Sequence, residues 1–194
     1  MSHKMDKSNG YEEHAQDFMR ARRAHIGPDV ARDWAREFPS GAEVLELGCG
    51  HGVVSQVLVE QGLRLYAIDA SPTLLAAFRQ RFPDVQAECA AAEDSSYFGR
   101  TFDGVIAWGL MFLLPEETQR IVLAKMARAL KPGGRLLFTA QRQTVTWTDS
   151  ITGQESWSLG VERYESLMRE LGLDIEPGRI GAGENYYYLG VKRG

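Results

Sequence analysis

The sequence predicts an α/β protein. A mostly parallel sheet of seven strands is doubly wound, with an antiparallel last strand and helices on both faces. Three observations predict it. Short apolar runs alternate with segments of helical periodicity, roughly 10–15 residues each, as in βαβ units. A glycine-rich turn follows the first apolar run. Near the end, residues 181–185 (GAGEN) join two runs by a link too short for a parallel crossover.

Each element follows in order. Residues 1–10 are polar and are expected to fray. Residues 11–38 read as one or two helices, with Val30, Trp34 and Phe38 on one stripe and Pro28 suited to a first helical position. We expect residues 1–38 to form an N-terminal helical cap and residues 39–194 the main domain. Val44 to Leu47 is a first strand, and Val53, Val54, Val57 and Leu58 mark a helix. Leu65 to Ile68 is a second strand. Ser71 and Pro72 then cap and open a helix carrying Leu74, Leu75, Phe78 and Phe82. Strands are expected at Val85–Cys89, Phe102–Ala107 and Arg135–Ala140. A helix opened by Pro115 precedes the last of these, with Glu116 and Glu117 at the positive end of its dipole, and Lys131 to Gly134 stop it. A helix through Val161, Tyr164, Leu167, Met168 and Leu171 leads to the two closing strands, Leu173 to about Ile180 and Tyr186 to Val191.

The chain has 194 residues, 44% hydrophobic and 25% charged, with a net charge of −4. One domain is expected, and collagen, disordered and disulfide-scaffold classes are excluded. An acidic balance gives no bulk attraction to nucleic acid or anionic lipid. Cys49 and Cys89 read as two thiols in a reducing compartment. The first 20 residues hold no apolar run, and the longest such stretch, Val105–Leu114, falls short of the roughly 20 residues that span a membrane. A soluble, cytoplasmic protein is therefore expected. No His/Cys/Asp cluster has metal-ligand spacing, so no metal is expected.

Residues 46–52 read Glu-Leu-Gly-Cys-Gly-His-Gly between a strand and a helix. Glycine spacing has meaning in that context, because ligands approach such turns at the mouth of the first βα crevice. Asp69 ends the second strand, 19 residues beyond Gly50, where a carboxylate can accept bonds from both ribose hydroxyls. The pair argues for an adenosine-containing cofactor. A plain turn and a cap ahead of Ser71 are the structural alternatives. The spacing departs from the G-x-G-x-x-G/A of nicotinamide sites, since Val53 stands one place after Gly52. Glu46 would repel a pyrophosphate and suits a ligand bearing an amino group.

Glu46 to Gly52 resembles the first motif of class I S-adenosylmethionine-dependent methyltransferases. Ala67-Ile-Asp69-Ala-Ser71 is similar to their second-strand motif. Phe102 to Ala107 and Leu130 to Gly134 resemble their fourth strand and the turn before the fifth. The resemblance spans residues 40–140 and implies a Rossmann-like fold with S-adenosylmethionine as cofactor and S-adenosylhomocysteine as product. It implies that Gly48, Cys49 and Gly50 line the methionine part, with Glu46 near its amino group. Asp69 would hold the ribose, with Ala70 beside the adenine. Trp108 and Gly109 would face the methionine end. Ala91 stands where many relatives carry Asp, so the adenine edge falls to Ala92 or Glu93.

Methyl transfer from a sulfonium needs alignment and exclusion of water more than a catalytic residue. A base is required only for an acceptor that holds its proton, and no residue is assigned that role. His14 and His25, Tyr11 and Phe18 in the N-terminal segment are candidates for covering the site. Residues 141–158 read as a long polar connection, a lid-like loop bearing Arg142, Trp147 and Trp157. Packing on the sheet and ordinary solvation are the other readings of these residues. Residues Trp108 to Met111 lack the Asn/Asp-Pro-Pro-aromatic of exocyclic-amine methylases, and neither cysteine follows a proline. The expectation is a methyltransferase (EC 2.1.1.-) for a small-molecule acceptor, without nucleic-acid or membrane partners, as a monomer or homodimer. A non-catalytic S-adenosylmethionine-binding module and a NAD(P)-dependent oxidoreductase are the alternatives.

Overall fold

The computed structural model describes residues 7–21, 28–180 and 185–194. Helices α1 (Ala15–Ala21) and α2 (Pro28–Ala35) lead into β1 (Glu43–Leu47), α3 (Val53–Glu60), β2 (Arg64–Asp69), α4 (Pro72–Arg81) and β3 (Gln86–Cys89). Then come β4 (Phe102–Ala107), α5 (Glu116–Ala129), β5 (Leu130–Ala140), β6 (Thr144–Thr148), β7 (Glu155–Leu159), α6 (Val161–Glu170), β8 (Leu173–Ile180) and β9 (Tyr186–Lys192). Seven strands form one sheet in the order β3-β2-β1-β4-β5-β9-β8. β1 to β5 run parallel, and β9 lies antiparallel between β5 and β8. The predicted architecture is therefore present. Most of the 181–185 link lies outside the described residues.

Period-2 alternation along the strands sends side chains to two cores. Leu45, Leu47, Ile68 and Val105 pack with Val122, Met126, Tyr164 and Met168 of α5 and α6. Val44, Ala67 and Ile106 pack with Ala31 and Trp34 of α2, Val54 and Leu58 of α3, and Phe78 of α4. Each large aliphatic buried this way contributes about 1.5–3 kcal/mol of transfer free energy. The same parity delivers two charged residues to the second face. Glu46 follows Val44, and Asp69 follows Ala67. The α4 cap is as its sequence predicts, with Ser71 Oγ accepting from the Leu74 amide at 3.1 Å.

Four expectations are corrected. Lys7 to Gly10 do not fray, since Lys7 Nζ meets Asp94 Oδ2 and Asn9 Nδ2 donates to Glu155 O at 3.3 Å, while residues 1–6 of that stretch lie outside the described residues. α2 packs beneath the sheet rather than over the site, because Ala31, Trp34 and Ala35 are buried in the second core. Residues 141–158 are not an irregular loop, since β6 and β7 pair as an antiparallel hairpin. Thr144 to Thr148 have the β-branched composition of a strand, and Asp149 Oδ1 closes the turn by accepting from the Ile151 and Thr152 amides at 2.9 Å. Finally, β5 starts at Leu130, because residues 131–134 form an irregularity inside the ladder with β4 rather than a separate stop.

Gly52 shows why the glycine turn has this composition. Its φ is +90°, and a Cβ there would stand 2.3 Å from Phe82 Cε2 on the neighbouring helix end. Gly52→Ala should cost about 2–4 kcal/mol through left-handed strain and overpacking. Chemical denaturation checks this, and a loss below about 1 kcal/mol would refute the packing account.

Candidate functional site

The turn between β1 and α3 is fixed to β2 before any ligand is considered. The Gly48 and Cys49 amides both donate to Ile68 O, at 2.8 and 3.2 Å. Asp69, 8% exposed, accepts from the Gly50 amide on Oδ2 at 2.7 Å and from the Ser71 amide on Oδ1 at 2.8 Å. Both oxygens are thus oriented by backbone, and each keeps further acceptor capacity. Burial is the main cause that raises the Asp69 pKa above the usual aspartate value, and the nearby Glu12 carboxylate adds to it. The Ser71 and Gly50 amides oppose the rise. The ribose-anchor and turn-cap readings of Asp69 are therefore not exclusive, because one carboxylate has the geometry for both.

Asp69 lines a cavity with about 680 Å3 of empty space, part of it open solvent. Gly48, Gly50, Ala70, Trp108 and Gly109 line it, as do Ala92 and Glu93 at the far end. The Gly109 amide donates to Thr139 Oγ1 at 2.7 Å, which fixes the turn after β4. A smaller recess continues under the glycine turn, lined by Glu46, Cys49, His51 and Val54 and sharing Gly48, Gly50 and Trp108 with the cavity. Glu46 is 1% exposed and accepts from Ser55 Oγ of α3 at 2.6 Å. A buried carboxylate at the end of a recess is a site for a cation or an amino group. The Cys49 thiol is pushed up by burial first and then by the charges of Asp69 and Glu46, so it stays neutral and is no nucleophile.

The N-terminal segment crosses the mouth. Lys7 Nζ meets Asp94 Oδ2 at 2.6 Å and Glu93 Oε1 at 3.2 Å. Tyr11 OH donates to Asp149 Oδ2 in the hairpin turn at 3.1 Å. Glu12 accepts from the Thr73 amide at 3.0 Å and from the Thr73 and Ser71 hydroxyls, a second cap on α4. Tyr11 and Phe18 line the cavity and meet edge to face at 5.1 Å. Phe18 also packs on Leu74.

The other substrate candidates are placed elsewhere. His14, Arg142, Trp147 and Trp157 are not among the residues lining the cavity. Arg142 lies 5.7 Å over the Tyr186 ring. The Trp147 ring meets Phe112 at 5.6 Å. Trp157 contributes its carbonyl, which accepts from Gln119 Nε2 at 3.1 Å. His25 lies outside the described residues. Sequence reasoning missed Lys7, Ser8 and Asn9, which line the cavity with Leu110, Leu113 and Leu114. It also missed Gln119, whose amide holds the Leu114 carbonyl at 2.7 Å and so fixes that apolar wall. A short polar start and one glutamine in a helix carry no local signal of this. No group of side chains suited to a metal ion is found among the described residues. No described helix is long and apolar enough to cross a membrane.

A crevice at the carboxyl ends of parallel strands, with a glycine turn at β1 and a carboxylate at the end of β2, is the arrangement in which doubly wound sheets place their ligand crevice. Residues 44–134 match the model of the methyltransferase domain family. The whole fold is similar to that of solved methyltransferases with bound S-adenosylmethionine or S-adenosylhomocysteine. The magnesium protoporphyrin IX methyltransferase from Synechocystis PCC 6803, solved with bound SAM, superposes with a TM-score of 0.76, covering 99% of both chains at 15% identity. The ubiquinone biosynthesis O-methyltransferase of Xanthomonas axonopodis pv. citri (strain 306) is 31% identical over 127 residues, 62% of this chain and 52% of that protein. The cypemycin N-terminal methyltransferase of Streptomyces sp is 43% identical over 98 residues, 48% of this chain and 40% of that protein. The chain thus spans about half the length of the curated relatives it matches.

Proposed function

We propose that this protein is an S-adenosylmethionine-dependent methyltransferase acting on a small-molecule acceptor at O, N or S. The observation that carries the reading is the Asp69 carboxylate, oriented by two amides beside the glycine turn and facing a cavity that leads to the Glu46 recess. In this reading Asp69 accepts from the ribose hydroxyls. Ala70, Ala92 and Glu93 meet the adenine, and Glu46 meets the amino group of the methionine part. When bound, the cofactor supplies an activated methyl on a sulfonium with a neutral leaving group. The chain's own work is alignment and exclusion of water, which can supply several kcal/mol. Tyr11 and Phe18 cover the site, so the cap role falls to residues 7–21 rather than to all of 1–38. The acidic balance of the chain supports an acceptor other than nucleic acid. The same reading takes the protein as cytoplasmic, and as a monomer or homodimer.

Calorimetric titration with S-adenosylmethionine, S-adenosylhomocysteine and NADH tests the reading. Binding of both methionine derivatives and not of NADH is expected. Binding of NADH alone would sink it in favour of an oxidoreductase. Turnover of labelled cofactor with a panel of phenols, amines and thiols separates an enzyme from a non-catalytic binding module.

A further inference from the structure

The wall at the far end of the cavity is held from below by a lysine. Lys125 lies on α5. Its ammonium donates to three carbonyls of one short loop: Glu93 O at 2.7 Å, Ser95 O at 2.6 Å and Ala92 O at 3.3 Å. It also stands 4.7 Å from the centroid of the buried Tyr97 ring. All three N–H groups of an ammonium are thereby spent on one loop. Two residues of the adjoining turn, Tyr97 (φ +53°) and Phe98 (φ +57°), have left-handed backbone. Side chains rarely adopt this geometry unless the surroundings over-determine it, and it gathers at ligand clamps. Half-burial lowers the Lys125 pKa from its usual value, with the carboxylates of Asp94, Glu93 and Glu88 opposing and Arg128 adding to the fall.

The side chain that this loop presents is Glu93. It lines the cavity. Its Oε1 meets Lys7, and its Oε2 is a buried acceptor with no partner among the described residues. A buried acceptor left unpaired costs about 1–3 kcal/mol, so it points to a ligand donor.

We propose that Lys125 is a positioning residue for base selectivity: by gathering the carbonyls of residues 92, 93 and 95, it holds the Glu93 carboxylate where it accepts a hydrogen bond from the exocyclic amine of a bound adenine. The inference rests on the S-adenosylmethionine reading above. An adenine offers N–H donors at that position. A hypoxanthine offers a carbonyl oxygen, which would face the carboxylate acceptor to acceptor. Sites built to pair with a ligand N–H reject the analogue that lacks it. Lys125 does not touch the ligand, so its effect is carried by the loop.

The test compares S-adenosylhomocysteine with its inosine counterpart by calorimetry. The wild type should prefer the adenine ligand at least about tenfold. Lys125→Met should bring that ratio to within about threefold and weaken S-adenosylhomocysteine about tenfold, and Lys125→Arg should restore part of the preference. Glu93→Gln leaves Lys125 and its three carbonyls in place and should lower the ratio by itself. It keeps the test decisive should Lys125→Met fail to fold. A ratio unchanged in Lys125→Met or in Glu93→Gln overturns the proposal, since a merely structural lysine would shift thermal stability and leave selectivity alone. A wild type that binds neither ligand overturns the cofactor reading itself, and this inference with it.

Discussion

Asp69→Ala is expected to lower the affinity for S-adenosylhomocysteine by about 10–150-fold, the worth of about 1.5–3 kcal/mol for hydrogen bonds to a charged acceptor. The structure adds a second effect. The Gly50 and Ser71 amides lose their acceptor, at 2.7 and 2.8 Å in the native protein. Orphaned donors of this kind cost about 1–3 kcal/mol, lessened where cavity water reaches them. Thermal unfolding of the free protein should therefore move as well. Asp69→Asn removes the charge at a smaller structural cost than alanine, because its single amide oxygen still accepts from one of the two backbone amides while its NH2 leaves the other unmet. Unchanged affinity in both variants would refute the ribose role.

The pH dependence carries a sign. Burial, helped by the Glu12 carboxylate, raises the Asp69 pKa against the pull of the Ser71 and Gly50 amides. A carboxyl raised in the folded state stabilises the free protein below its ordinary pKa, and that contribution is lost as pH rises through the raised value. Ligand binding runs the other way, because ribose hydroxyls need the ionised acceptor. Affinity should fall as pH drops through the raised Asp69 pKa. Asp69→Asn should lack that acid limb, and calorimetry across the acid range checks it.

Glu46→Gln is the second large effect. Glu46 is buried in the recess, and a charge there is expensive unless paired. The variant keeps an oxygen for the Ser55 hydroxyl, now bonded at 2.6 Å, and loses the charge together with the second acceptor oxygen. Affinity for S-adenosylhomocysteine should fall about 10–150-fold, from about 1.5–3 kcal/mol of charge-assisted bonding to the amino group. The fragment 5′-methylthioadenosine lacks the amino-acid part, so its affinity should change by less than about twofold. Equal losses for both ligands would show that Glu46 supports the turn rather than the amino group.

The two faces of the sheet were legible in the order of the residues, because period-2 and period-3.6 patterns are local. Val44 and Leu45 announce opposite cores, and α3 announces its stripe at Val54, Val57 and Leu58. The glycine turn and Asp69 were legible for a related reason. They are consecutive pieces of one βαβ unit, and the turn geometry demands small residues at fixed places. The hairpin at 144–159 was also written in the chain, as β-branched residues around an Asp-initiated turn, but its polarity reads first as a loop.

The meeting of distant loops was not legible. Lys125 reaches carbonyls 30 to 33 residues away, and Tyr11 reaches Asp149 across 138 positions. Glu12 caps a helix 59 to 61 residues further on. No period or motif encodes such pairs, because they form only after the sheet order has set which strand ends share a crevice. α2 follows the same logic, since its stripe through Trp34 announces a buried face without naming the surface that buries it. Local patterning thus determines the doubly wound core and the cofactor-type turn within it. Packing alone decides which side chains close that turn into a cavity, because contact between remote segments depends on the folded geometry and leaves no trace in neighbouring residues.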